Sequence, residues 1–160
     1  MLYENYEQVV ANVKKACERS GRNFQDITII AVSKTKPLSD VEELLSHGVM
    51  EFGENKVQEM VDKYEHVSKP VHWHLIGHLQ TNKVKYIVDK ACLIHSVDSV
   101  HLAKEIEKEA AKKGVVAKVL LEVNIAQEET KFGIREDEVY ALIDAIKDLS
   151  LIHISEPTRQ

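Results

Sequence analysis

Apolar and polar positions along this chain switch repeatedly between two periods. Tyr6, Val9, Val10, Val13, Ala16 and Cys17 recur at helical spacing with charges between them, and Gly21 suits the left-handed residue that stops such a helix. The run Ile27-Thr28-Ile29-Ile30-Ala31-Val32-Ser33 is β-branched and apolar, as a buried strand is. The same exchange then repeats. Ser39-Asp40-Val41-Glu42 reads as a capping box opening a short helix that buries Val41, Leu44 and Leu45 and ends at Gly48. Further strands are predicted over 49–52, 71–76, 92–97 and 115–125. Helices fall between them: one on Val57, Met60, Val61 and Tyr64, one on Val84, Ile87 and Val88, and a long one over about 99–113. Val139, Leu142, Ile143 and Ile146 mark a last helix, and 150–155 is a possible sixth strand.

An α element followed by repeated βα pairs implies a parallel sheet with right-handed crossovers. The predicted strands start near 27, 49, 71, 92 and 115, a step of 21–23 residues. So regular a step favours a barrel, which repeats one unit around a ring, over an open sheet. A closed (β/α)8 barrel takes eight strands and roughly 200 residues or more. With five or six, this chain reads as the front part of a barrel; an open sheet complete in itself is the alternative.

Composition narrows the picture only by exclusion. The 160 residues are 44% hydrophobic and 29% charged, enough for one domain with a real core. A net charge of −5 lends nucleic acid no support as a partner. Cys17 and Cys92 lie far apart in apolar contexts, which fits a reduced, cytoplasmic protein better than a disulfide scaffold. The N-terminal residues do not read as a signal peptide. No apolar run approaches the roughly 18 residues of a membrane span.

Chemistry concentrates just after the strands, at Ser33-Lys34-Thr35-Lys36, Gly53-Glu54-Asn55, 77–83, His95-Ser96-Val97-Asp98 and Asn124. In a parallel barrel those ends share one face, where sites are built. By strand alternation Thr28, Ile30, Val32 and Lys34 share a side, which would set the Lys34 amine on an apolar stack. Partial desolvation and a neighbouring cation there would favour the neutral amine that Schiff-base chemistry needs. The other reading of the same residues is an ordinary strand end with two solvated lysines. His72, His74 and His78 raise the question of a metal, but no carboxylate or cysteine is spaced along the chain to complete a tetrahedral set. His74 is expected instead to pack or hydrogen-bond inside the barrel mouth. Gly53 and Gly77 allow either tight turns or a close backbone approach to a ligand. Neither a G-x-G-x-x-G nor a P-loop pattern occurs.

Taken in order, these motifs resemble those of a known family. The runs are 31–37 (Ala-Val-Ser-Lys-Thr-Lys-Pro), 52–59 (Phe-Gly-Glu-Asn-Lys-Val-Gln-Glu), 73–83 (Trp-His-Leu-Ile-Gly-His-Leu-Gln-Thr-Asn-Lys), 95–99 (His-Ser-Val-Asp-Ser), Val123-Asn124-Ile125 and Lys131-Phe132-Gly133-Ile134. The chain is similar through them to the pyridoxal phosphate homeostasis proteins, small relatives of the alanine racemase barrel. The resemblance implies a (β/α)8 barrel of the TIM type (PLP fold type III), of which only the first five to six βα units are present. It implies pyridoxal 5′-phosphate (PLP) as cofactor, held as a Schiff base on Lys34. Lys36 and Lys83 would be the neighbouring cations, and Asn55, His74 and Asn124 would line the cofactor mouth.

The resemblance further implies a PLP carrier or buffer, with PLP-dependent apoenzymes as partners and a monomeric full-length form, rather than a catalyst. The racemase relatives draw a second base from another domain. An amino-acid racemase or decarboxylase, or a non-catalytic module binding another phosphorylated ligand, are the alternatives. Family members continue for several strands beyond 148, where their phosphate-binding elements lie. Residues 1–149 are therefore expected to form a partial barrel that binds PLP poorly or not at all, and 150–160 to be a tail foreign to the family.

Overall fold

The computed structural model describes residues 1–155. Its elements run α1 (Leu2–Ser20), β1 (Ala31–Val32), α2 (Leu38–Ser46), β2 (Glu51–Glu54), α3 (Val57–His66), β3 (His72–Leu75) and α4 (Val84–Ile87). Then come β4 (Ala91–Val97), α5 (Val100–Lys113), β5 (Ala117–Leu121), α6 (Val139–Ile146) and β6 (Ile152–Ile154). All strand pairs are parallel and the sheet order is the chain order, β1 to β6. Each crossover steps to the next strand in the same direction, so right-handed connections lay every helix on one face. That is barrel winding, and the sheet is not closed among the described residues.

Local chemistry explains the boundaries. Gly21 and Gly114 end α1 and α5 in the left-handed region at φ 67° and 66°, and Ser99 caps α5 by accepting the Leu102 N–H. Phe52, Trp73, Leu75, Ile94 and Val119 pack beneath the helices with Met60, Ile106 and Ala110, all essentially excluded from solvent. Burial on this side supplies most of the hydrophobic stabilisation. The opposite side carries Val32, half exposed, together with Gly53 and His74 in register.

Several expected boundaries move. β1 spans only two residues instead of 27–33, because Ala31 pairs with Phe52 and the β2 ladder begins one residue earlier. The capping box at Ser39 does not form: α2 starts at Leu38 with Pro37 as its cap. The Glu42 carboxylate is used elsewhere, accepting the Ser68 N–H at 2.6 Å and hydroxyl at 2.5 Å. β5 stops at Leu121, and Asn124 N–H donates to Ile134 O at 2.8 Å while Ile134 N–H donates to Glu122 O. The end of the expected fifth strand therefore pairs with its own returning loop. Ile152–Ile154 does pair with Ala117–Val119, so the possible sixth strand forms. The rest of the expected tail, 156–160, lies outside the described residues.

Candidate functional site

Ser33 to Lys36 form the turn that leaves β1, and hydrogen bonds of Ser33 and Thr35 tie it down while the Lys34 and Lys36 side chains stand exposed. Ser33 N–H donates to Gly53 O at 3.0 Å, its hydroxyl to Glu54 Oε1 at 2.6 Å, and its carbonyl accepts from Lys36 N–H and from Lys63 Nζ at 2.7 Å. Lys63 reaches over from α3 and also pairs with Glu54 at 2.5 Å, with both side chains buried. Thr35 N–H donates to Glu59 Oε2 at 2.8 Å. That bond, chiefly, holds the Glu59 carboxyl below its ordinary value. Thr35 itself sits at φ 60°, a conformation that costs a β-branched residue on the order of 1–3 kcal/mol and is found where a structure over-determines it. The result is a rigid turn from which the Lys34 amine projects.

The amine is in solvent, not on a greasy stack. The desolvation expected from strand alternation is absent for a structural reason. Lys34 lies in the turn rather than the strand, and the face it shares is open among the described residues. Lys36 belongs to the same turn and is exposed. Asn55 follows β2, where its backbone presses on Gly77: a Cβ on Gly77 would lie 2.3 Å from the Asn55 carbonyl oxygen. Only glycine allows that approach of two strand ends. Lys83 holds its Nζ 5.8 Å from the Tyr86 ring centroid. Asn124 spends its side chain on its own loop, donating to Glu128 O at 2.9 Å and accepting from Glu128 N–H. Thus Lys34 and Lys36 share one exposed turn, Asn55 and Gly77 come together, and Asn124 is committed to local structure.

His74 is buried on the open side of the sheet, as hydrogen-bonded as expected. Its Nε2–H donates to Glu51 Oε2 at 2.7 Å, so in the neutral ring Nδ1 accepts from His95 Nε2–H at 2.9 Å. His72 Nδ1 holds the other Glu51 oxygen at 2.5 Å. Burial works to raise the Glu51 carboxyl, but the His74 and His72 hydrogen bonds outweigh it and hold the group below its usual range. Burial, with His74 beside it, lowers His95 to about 4. Burial and the Glu51 charge push the Cys92 thiol up to about 11. Glu51, Lys63 and Glu59 are polar site residues that spacing along the chain does not single out, whereas Glu54 belongs to the Gly53-Glu54-Asn55 cluster at the end of β2.

An exposed lysine on a pinned turn at the carboxyl ends of parallel strands defines a barrel-type α/β protein with its site at the strand ends. Comparison with known proteins narrows this. The family model "Alanine racemase, N-terminal domain" matches residues 5–156. A pyridoxal phosphate homeostasis protein of Aquifex aeolicus is 41% identical over 152 residues, which are 94% of this chain and 67% of that one. A Bifidobacterium adolescentis protein described as unknown superposes with a TM-score of 0.88 at 28% identity, covering 96% of this chain and 66% of that one. PipY of Synechococcus elongatus, solved with PLP bound, superposes at 0.75 with 29% identity over 94% of this chain and 72% of that one. The chain belongs to the pyridoxal phosphate homeostasis family, within the alanine racemase N-terminal-domain group. It spans about two thirds of the length of these relatives.

No helix among the described residues is long and apolar enough to cross a membrane.

Proposed function

We propose that this chain captures PLP through the Lys34 amine and serves intracellular PLP homeostasis as a carrier rather than as a catalyst. The observation that carries this is the Lys34 turn: a free amine on backbone fixed by Ser33, Glu54, Lys63 and Glu59. An aldehyde condenses with such an amine to a Schiff base, which is the chemistry PLP supplies when bound. Lys36, on the same turn, and Lys83 add positive charge suited to a phosphate. Asn55, close against Gly77, offers a polar wall. His74 and Asn124 have polar atoms already engaged by Glu51, His95 and Glu128. Their part is therefore to shape the mouth rather than to grip the cofactor.

Capture is expected to be weak, since Lys34 is exposed and the sheet face beside it is open among the described residues. Cytoplasmic PLP-dependent apoenzymes are the proposed recipients, and a monomer the proposed state of the full-length form. Mixing the chain with PLP, trapping with borohydride and locating the modification by mass spectrometry tests the proposal. Labelling concentrated at Lys34 and lost in Lys34→Ala is expected. Labelling spread evenly over the surface lysines would remove it.

A further inference from the structure

The open face of the sheet brings together three side chains that no stretch of the sequence unites. Glu51 comes from β2, His74 from β3 and Cys92 from β4. One donor atom of each lies within 4.8 Å of the others. The register explains the meeting. Trp73 pairs with Ala91 and His74 with Leu93, so Cys92 is the extra residue of a bulge, and a bulge re-aims a side chain. We propose that Glu51, His74 and Cys92 form a site for a borderline-soft divalent cation of the zinc class. It goes beyond the PLP proposal and does not use Lys34.

The donor set selects the cation. A thiolate and an imidazole disfavour magnesium and calcium, which take oxygen ligands, and suit zinc or cobalt(II). Three protein ligands leave a fourth position of a tetrahedron open. Bond lengths of about 2.0 Å to nitrogen or oxygen and 2.3 Å to sulfur put donors roughly 3.3–3.8 Å apart. His74 Nε2 and Glu51 Oε2, now 2.7 Å apart across a shared proton, must separate by less than about 1 Å to admit the ion.

The surrounding shell supplies a partner for the His74 and Glu51 ligands, although His95 Nδ1 at its far end is buried without a hydrogen-bond partner among the described residues. A ligating histidine is normally held through its other nitrogen, and a ligating carboxylate through its other oxygen. His74 Nδ1 already faces His95 Nε2 at 2.9 Å, and Glu51 Oε1 faces His72 Nδ1 at 2.5 Å. On binding, the His74 proton moves from Nε2 to Nδ1 and is donated to His95 Nε2, whose own proton moves to Nδ1. The Cys92 thiol loses its proton to solvent. One carboxylate and one thiolate then balance the two positive charges, and one proton leaves per ion.

The test is titration of the intact PLP-free chain with cobalt(II) as the spectroscopic probe, followed by displacement with zinc. Saturation at one ion per chain, with a thiolate-to-cobalt charge-transfer band that zinc abolishes, is expected. Cys92→Ser should remove the band, and His74→Gln, which deletes a ligand, should weaken binding by more than the roughly ten- to hundredfold that losing an outer-shell partner costs. Cys17→Ser, in α1, should leave both unchanged. Because the variants could misfold, the wild-type chain carries a second readout: zinc should slow alkylation of Cys92 and leave that of Cys17 unaffected. A cobalt spectrum without the sulfur band, a band that survives Cys92→Ser, or equal Cys92 alkylation with and without zinc overturns the site.

Discussion

Two acids three residues apart on β2 have opposite surroundings. Glu54 points under the helices, fully buried, and is answered by the Lys63 ammonium and the Ser33 hydroxyl. Glu51 points to the open face, is partly exposed, and is answered by two imidazoles. Odd spacing along a strand puts them on opposite sides. The first network locks the backbone beside Lys34 and leaves its own charges no access to solvent. The second leaves Glu51 and His72 in contact with solvent while His74 lies buried beside them, and it is the set of side chains from which the cation site is proposed. Rigid support and adaptable chemistry are thus separated by the thickness of one sheet.

The comparison is broken most strongly at Lys63. Lys63→Met leaves the Glu54 charge buried and unpaired, so a loss of about 3–5 kcal/mol is expected in urea unfolding. Glu54→Gln combined with Lys63→Met should recover much of that loss, because no lone charge remains. A single variant that unfolds like the wild type would show Glu54 to be solvated. Gly77→Ala forces a Cβ onto the Asn55 carbonyl and should cost on the order of 2 kcal/mol in the same measurement. Glu51→Gln keeps neutral partners for His72 and His74 on a partly exposed face, and about 1 kcal/mol is expected. A cost for Glu51→Gln equal to that of Lys63→Met would erase the distinction between the two faces.

The smallest effect is a titration. The Glu59 carboxyl is lowered on folding, chiefly by the Thr35 N–H, so its contribution is present above the unfolded value near 4.5 and disappears as pH falls below it. Amide exchange at Thr35 should accelerate in that window, relative to the intrinsic rate, while amides in α5 stay protected. Exchange at Thr35 that shows no such change would detach Glu59 from the turn.

Much of this was legible in the residues alone. Helical spacing located the main helices, and the step between strands anticipated sequential parallel pairing. The motif runs led to the family that the comparisons show. Misplaced ends have particular causes. Glu42 left its capping box for Ser68, and residues 27–30 found no ladder because β2 starts at Glu51. The exposed Lys34 follows the second of its two readings, because alternation tells which side a residue takes, and not whether anything covers that side.

Covalent geometry repeats every 3.6 residues in a helix and every two in a strand, so the order of elements, their apolar faces and the punctuation at Gly21, Ser99 and Gly114 were determined by the chain itself. Register was not. The meeting of Glu51, His74 and Cys92, and the reach of Lys63 to Ser33 and Glu54, depend on how strands slide past one another and where a bulge falls. Those are settled only when distant surfaces pack and backbone hydrogen bonds choose their partners, because no local preference distinguishes one alignment from the next.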